Sequence, residues 1–347
     1  MVKISVLIPS YNVEKYIREC LDSIVNQTFE DMEIICIDDG STDSTLDILN
    51  EYALKDSRLR VYENKENKGV SYARNYLLNL AKGKYIFFMD SDDYLELDAL
   101  EKAYNLTEEK SLDILMFKIR HFNNKTKKEF ESVYTEMHYL EKFIGDRIFA
   151  YEDVKKFAPH ICVNLPGKLL KRDLIQDIKF PNRNIFEDNP FFFEALLRAK
   201  RIYFFREYLC NKRERKNSIM ESKDESYLAI MDKFDNIIEI AKRYGKYEEL
   251  KPYFFKHCIS VNQQRIREVN LKTRFKFFKK MKQYYICNKN EIEEVYDEIP
   301  FQYQTMYEAC IESDNYITYE SRVLYRINRN LKQYRKDVEM ENLIWNK

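Results

Sequence analysis

Asp90, Asp92 and Asp93 crowd into four residues directly after the apolar run Tyr85-Ile86-Phe87-Phe88-Met89. Such a run reads as a buried strand. Three carboxylates at its end repel one another unless something positive sits among them. Carboxylates are hard oxygen ligands suited to Mg²⁺ or Mn²⁺, ions that commonly carry phosphate with them. Taken alone, the stretch is equally an acidic turn in which Asp93 caps a helix starting at Tyr94. Two other apolar runs also end in polar groups: Ile4–Ile8 runs into Pro9-Ser10-Tyr11, and Glu33–Ile37 runs into Asp38-Asp39-Gly40-Ser41-Thr42-Asp43. A further acidic pair, Glu187-Asp188, precedes Asn189-Pro190 and a Phe- and Leu-rich stretch. Pro190 suits a first helical position, so Asp188 or Asn189 is expected to cap a helix over 191–199.

The elements that must hold these groups alternate over the first ~120 residues, which predicts an α/β fold with a parallel sheet. Strands are expected at Ile4–Ile8, Glu33–Ile37, Arg58–Tyr62, Tyr85–Met89, Leu112–Ile119 and Ile202–Leu209. Asn12 is placed to cap a first helix whose stripe is Ile17, Cys20, Leu21, Ile24 and Val25. A second helix carries Leu46, Leu49 and Ala53. A third spans 71–81, with Gly83 as its left-handed stop. A fourth runs over 97–104, and 123–128 reads as a loop. In such sheets ligands bind beyond the carboxyl ends of the strands, where Pro9–Tyr11, Asp38-Asp39 and Asp90–Asp92 all fall. Neither a dinucleotide fingerprint nor a P-loop is present.

Composition narrows the classes. With 58 basic and 58 acidic side chains in 347 residues, net charge is zero, which argues against a nucleic-acid partner. Seven scattered cysteines, none in a C-x-x-C pair, give neither a disulfide framework nor a zinc site and fit a reducing cytoplasm. The run at residues 1–8 is too short for a signal sequence or a membrane span. His160 reads as a loop residue near the crevice-forming half.

In order along the chain stand Val6-Leu7-Ile8-Pro9-Ser10-Tyr11-Asn12, Gln27-Thr28, Ile37-Asp38-Asp39-Gly40-Ser41-Thr42-Asp43, Asn67-Lys68-Gly69, Ala73-Arg74-Asn75 and Gly83–Ile86 through Asp93. As a set they resemble the catalytic domain of family 2 inverting glycosyltransferases over roughly residues 1–215. The resemblance implies a GT-A fold, a Rossmann-like, mostly parallel sheet flanked by helices, in a domain 1–219 followed by a helical region 220–347. It implies a UDP-sugar donor and Mn²⁺ or Mg²⁺ held by Asp92 and Asp90. Pro9, Tyr11 and Asp39 would bind the base, with Asp39 accepting from the uracil ring nitrogen and Asp38 bracing the turn. Arg74, Asp90 and Ser91 would lie along the nucleotide, and Arg213 or Arg215, in a loop 212–219, would meet the diphosphate. Asp188 would be the base that takes the acceptor proton, with Glu187 in support. Lys168, in Pro166-Gly167-Lys168-Leu169-Leu170, matches a family lysine of structural role. The acceptor would be a saccharide or lipid-linked saccharide of a cell-surface polymer. A sugar-nucleotide nucleotidyltransferase is the enzymatic alternative, but the Gly-rich basic loop it needs near the N-terminus is missing. A non-catalytic scaffold is the other.

From about residue 220 the pattern is helical, over 227–244 and 252–269. Residues 271–282 combine Lys272, Arg274, Lys276, Lys279, Lys280 and Lys282 with an apolar stripe at Leu271, Phe275, Phe278 and Met281. Two readings stand: a peripheral contact with an anionic membrane on the cytoplasmic side, or a helix packed on its neighbours with a solvated basic face. Self-association is compatible with the sequence.

Overall fold

The computed structural model describes residues 2–132, 137–161, 164–182, 185–215 and 224–345. The chain forms two compact units: Met1–Val154 with Ile161–Lys216, and Lys155–His160 with Asn217–Lys347.

The first unit is a mixed sheet flanked by helices. Its strands are β1 (Ile4–Ser10), β2 (Met32–Asp38), β3 (Leu59–Glu63), β4 (Tyr85–Phe88), β5 (Tyr94–Leu95), β6 (Ile114–Asn123), β7 (Glu129–Phe130), β8 (Lys168–Lys171) and β9 (Ile202–Glu214). They lie in the order β3-β2-β1-β4-β8-β6-β9-β5, with β7 paired to β6. Strands β1 to β4 run parallel, β8 is antiparallel to both β4 and β6, and β9 is parallel to β6. Register pairs Ser10 with Asp38 and Leu7 with Phe88. Tyr11, Asp39 and Asp90 therefore leave the sheet at one edge.

Helix α1 (Ile17–Val25) buries Ile17, Cys20, Leu21 and Ile24 completely, the stripe expected from its period. Each such aliphatic side chain contributes ~1.5–3 kcal/mol of burial. Helices α2 (Thr45–Lys55), α3 (Val70–Leu80) and α4 (Ala99–Glu109) follow. Asn12 caps no helix, since α1 starts five residues later. Its φ is 49°, which Asn tolerates, and its Oδ1 accepts from Thr42 N at 2.8 Å, pinning the β1–α1 loop to the β2–α2 loop. Gly83 is not a left-handed stop either. Helix α3 ends in extended backbone at Ala81, and Gly83 serves close approach, because a Cβ there would sit 2.5 Å from the Ser5 backbone nitrogen. The segment after Asp93 is the short strand β5 rather than a helix, and α4 begins two residues later than 97.

Strand β9 runs five residues beyond Leu209 because β6 continues beside it, pairing His121 with Lys212 and Asn123 with Glu214. Lys212 and Arg213 are therefore strand residues, not members of a loop. Residues 216–219 of that expected loop lie outside the described residues. Helix α5 (Asp188–Arg198) starts a turn earlier than the proline suggests. Its N-cap is Glu187, with no side-chain cap bond.

The second unit is helical: α6 (Ala229–Arg243), α7 (Tyr247–Glu268), α8 (Leu271–Cys287), α9 (Phe301–Glu312), α10 (Tyr316–Arg329) and α11 (Leu331–Trp345). His160 is not a crevice loop residue. It lies in the short helix Ala158–Ile161, its ring 4.2 Å from that of His257 on α7. Asn270 caps α8 by accepting from Thr273 N at 3.0 Å. The apolar stripe on α8 divides: Phe278 and Met281 are buried with Phe277, Tyr284 and Tyr285, while Leu271 and Phe275 are exposed. Lys276 pairs with Glu225, Lys280 with Asp232 at 2.8 Å, Lys282 donates to Ser313 O, and Arg274 donates to Val269 O and Arg267 O. Among the described residues no helix is long and apolar enough to cross a membrane.

Candidate active site

At the carboxyl edge of β1 and β2 the first of these groups come together. Pro9 is partly exposed and the Tyr11 ring is 44% exposed, which leaves its face available for stacking. Asp39 is buried and well supplied with donors. Its Oδ1 accepts from Asn64 Nδ2 at 2.7 Å and Lys68 N at 3.0 Å, and its Oδ2 from Gly69 N at 2.8 Å. A carboxylate has about four acceptor positions, so one on Oδ2 stays open. Asp38 braces its turn, Oδ2 taking Ser41 N at 2.9 Å, while its Oδ1 and the Ser10 hydroxyl are buried without a partner. Gly40 permits the turn with φ +74°; a Cβ there would meet Glu66 backbone at 2.7 Å.

Beside it, the turn after β4 is surrounded by cations. Asp90 receives Arg74 at 2.9 Å and Lys212 at 3.5 Å, and Asp92 receives Arg215 at 2.7 Å. Burial raises the Asp90 carboxyl, but Lys212 and Arg74 outweigh it and hold it below its ordinary value. Asp93 differs: burial first, and then the neighbouring charge of Asp92, push it well above the carboxylate range. It caps no helix. Its Oδ1 accepts from Arg213 N at 2.7 Å and its Oδ2 is unpartnered. Ser91 is buried between the acidic residues.

Arg74 does more than contact the nucleotide side. One terminal nitrogen holds Asp90 and the other holds Glu187, so one guanidinium ties the turn after β4 to the start of α5. Burial raises the Glu187 carboxyl above its ordinary range, against the pull of Arg74. Asp188 is partly exposed. Its Oδ2 accepts from Asn164 N at 2.9 Å and its Oδ1 from Asn189 Nδ2 at 2.9 Å. Both flanks are held in left-handed backbone, Phe186 at φ 61° and Asn164 at φ 58°, conformations that cost a non-glycine residue of order 1–3 kcal/mol.

Of the two arginines expected at the diphosphate, Arg213 is committed elsewhere. Its guanidinium donates to Asp92 O at 2.8 Å, to Asn124 Oδ1 at 2.6 Å and to Glu19, so it braces the acidic turn from behind. Strand alternation explains this, since the side chain next along, Lys212, points the other way, to Asp90 and Asn164. Arg215 stays at the acidic turn through Asp92. Lys168 is buried, its Nζ 2.6 Å from Asn164 O and over the Phe192 ring. Lys212, Asn164 and Asn64 join the site without a sequence motif to mark them. Lys212 lay within a basic run read as a loop, and Asn64 had only its place after a strand to mark it.

The Glycosyl transferase family 2 model matches residues 5–177. GlyG of Streptococcus pneumoniae serotype 4, named a glycosyltransferase, is 30% identical over 220 residues, 63% of this chain and 73% of that protein. The poly(ribitol-phosphate) beta-glucosyltransferase of Bacillus spizizenii is 41% identical over 214 residues, 60% of this chain but 31% of that enzyme. Glycosyltransferase GlyA of S. pneumoniae is matched over 35% of its length, so the chain spans about a third of these two longer relatives. Among solved structures, S. aureus TarS 1-349 in complex with UDP-GlcNAc superposes with TM-score 0.72 at 22% identity, covering 94% of this chain and 92% of that one. At that identity the likeness concerns the fold. The chain belongs to glycosyltransferase family 2.

Proposed function

We propose that this protein transfers a hexose or N-acetylhexosamine from a UDP-sugar to a hydroxyl of a saccharide or lipid-linked acceptor, with inversion, in making a cell-surface polymer. The observation that carries the reading is the Arg74 bridge, which joins the Asp90–Asp92 turn to the Glu187-Asp188 turn. A donor-binding group and a base must lie that close for a single displacement at an anomeric carbon. Relatives named for poly(ribitol-phosphate) glucosyl transfer and for minor teichoic acid biosynthesis, and a fold neighbour titled with UDP-GlcNAc, favour a UDP-sugar and a polymer acceptor.

In this reading Tyr11 stacks on the base and the open position on Asp39 Oδ2 takes its ring N–H. Asp188, held from two sides by Asn164 and Asn189, takes the acceptor proton. Glu187 stays paired to Arg74 and keeps the turn in place. A divalent ion would be held by Asp90 and Asp92, partly exposed oxygen donors at the acidic turn, with donor phosphate oxygens in its remaining positions. Bound there, Mn²⁺ or Mg²⁺ would neutralise charge on the departing diphosphate. The catalytic domain is taken as 1–219 and the helical region as 220–347.

The test is hydrolysis or transfer with UDP-Glc, UDP-Gal, UDP-GlcNAc and UDP-GalNAc, with and without EDTA, in wild type and Asp188→Asn. One donor should be turned over by wild type, with inverted product. Asparagine should leave donor affinity near normal while turnover falls ~10²–10⁴-fold, because an amide keeps the size and the bond to Asn164 is a small loss beside a lost base. Near-native turnover in Asp188→Asn, or retained configuration, would remove Asp188 from that role.

A further inference from the structure

The Lys212 ammonium stands beside the acidic turn and, like Arg215 on Asp92, has no task in the reading above. It stands on β9, 28% exposed, with its nitrogen 3.5 Å from Asp90 Oδ2 and 3.3 Å from Asn164 Oδ1. Both contacts lie at the outer limit of hydrogen bonding. By contrast, the Lys168 amine closes to 2.6 Å on Asn164 O. An ammonium taken largely out of water costs free energy unless it is tightly paired. Lys212 is loosely paired, carries a third N–H with no acceptor among the described residues, and faces the turn on which a donor diphosphate would rest. The arginines nearby are more tightly engaged: Arg74 holds Asp90 and Glu187, Arg215 holds Asp92 at 2.7 Å, and Arg213 donates to Asp92 O, Asn124 and Glu19.

Asn164 gives the arrangement a second function. Its backbone N–H holds Asp188, its carbonyl holds Lys168, and its side-chain oxygen holds Lys212. One residue thus joins the amine beside Asp90 to the carboxylate at the start of α5. We propose that Lys212 is a phosphate-binding residue of the donor subsite, kept ready by Asn164 and Asp90 and moving onto the diphosphate when the nucleotide enters. The proposal rests on the donor reading given above. It commits to the diphosphate, not to the base or the sugar, because an ammonium recognises anionic oxygen as a point charge.

The experiment is a binding comparison of UDP with uridine, by calorimetry for UDP and NMR titration for uridine, in wild type, Lys212→Met, Lys212→Arg and Asn164→Gly. Lys212→Met should weaken UDP about tenfold or more, the scale of one charge-assisted bond, and leave uridine unchanged. Lys212→Arg should recover most of the loss. Asn164→Gly keeps the left-handed backbone with its N–H and carbonyl, and removes only the tether, so a smaller loss confined to UDP is expected. Melting temperatures check folding; should Lys212→Met fail to fold, Asn164→Gly still carries the UDP-against-uridine comparison. Equal UDP affinity in folded Lys212→Met, or equal losses for UDP and uridine, overturns the proposal while the donor reading stands. Failure of wild type to bind UDP at all overturns the donor reading and this proposal together.

Discussion

The two units leave some buried polar atoms unpaired alike, but differ in how much buried charge they hold. In the sheet unit, charges taken out of water are tied to one another across long sequence separations: Arg74 to Glu187 and Asp90, Arg213 to Glu19, Lys118 to Glu141. The Arg74 and Arg213 clusters gather about the acidic turn after β4. In the helical unit, interior polarity is mostly neutral and partly unsatisfied. Asn262 Oδ1, Tyr284 OH, Tyr307 OH and His257 Nδ1 are buried without a partner. Most of its ion pairs lie outside, as with Lys276–Glu225 and Lys280–Asp232, and the buried Lys251 reaches the surface carboxylate of Glu294 at 2.6 Å. Buried, interlinked charge costs free energy and is retained where chemistry uses it, whereas a helical bundle needs only apolar faces and tolerates stray hydroxyls. Substitutions should therefore separate: in the first unit activity and stability fall together at the charge network, and in the second only stability responds.

The largest expected effect is at Arg74. Arg74→Met keeps an unbranched chain but leaves Glu187 without its cation and Asp90 with only the distant Lys212. Breaking one partner out of a buried pair costs ~3–5 kcal/mol. Urea denaturation should show that loss, and Arg74→Met/Glu187→Gln should regain part of it, because the second change removes the stranded charge. A loss below ~1 kcal/mol, the value for exposed pairs, would mean that water reaches the bridge and that the contrast between the units is overstated.

How much was legible from sequence follows the same division. The strand–helix alternation, the α1 stripe and the meeting of three strand ends could be read because they depend on period and order along the chain. The partners of those groups could not. Arg74 reaches Glu187 across 113 positions and Arg213 reaches Glu19 across 194, and no local pattern encodes such distances. Asn12 and Gly83 depart from their local pattern for a related reason. Residue type permits a cap or a left-handed stop, but the tertiary neighbour decided: Thr42 for Asn12, the Ser5 backbone for Gly83. The strand ending at Glu214 was cut short because Lys, Arg and Glu lower strand propensity, and pairing with β6 overrides it. In the helical unit, amphipathic spacing predicted helices, yet for α8 it could not say that Phe277 rather than Phe275 faces inward.

A smaller effect should come from acid. His160 and His257 meet edge to face, and burial, then the charges of Lys256 and Lys233, lower the His160 imidazole to about 3. His257 is lowered too, by burial and then by His160. Unfolded histidine titrates near 6.5. The unfolded state therefore takes up protons first: the neutral pair's contribution is fully present above pH ~6.5 and is lost as pH falls from there toward 3. Melting curves between pH 7 and 4 should show the helical unit losing stability, and His160→Phe/His257→Phe should flatten that slope. His121 in the sheet unit is lowered to about 4, by burial and then Lys212, so a residual slope belonging to that unit should remain. An unchanged slope in the double variant would detach the acid response from the pair.

The smallest effect concerns α8 and membranes. Its basic residues suggested an anionic surface, but Arg274, Lys276, Lys280 and Lys282 are held by acceptors within the unit. Lys272 and Lys279 remain as the cations of this stretch that meet no described acceptor. At ~1 kcal/mol for each basic residue near an anionic leaflet, two supply about 2 kcal/mol. The exposed Leu271 and Phe275 add little while Phe278 and Met281 stay buried in the bundle. Flotation with phosphatidylserine vesicles at ~0.15 M salt, where screening acts beyond about 8 Å, should therefore recover almost no protein. Lys272→Ala/Lys279→Ala should leave both flotation and melting temperature where they were. Strong, salt-sensitive flotation that the double variant abolishes would show that α8 turns a second face outward, and the helical unit would then have a surface function as well as a packed interior.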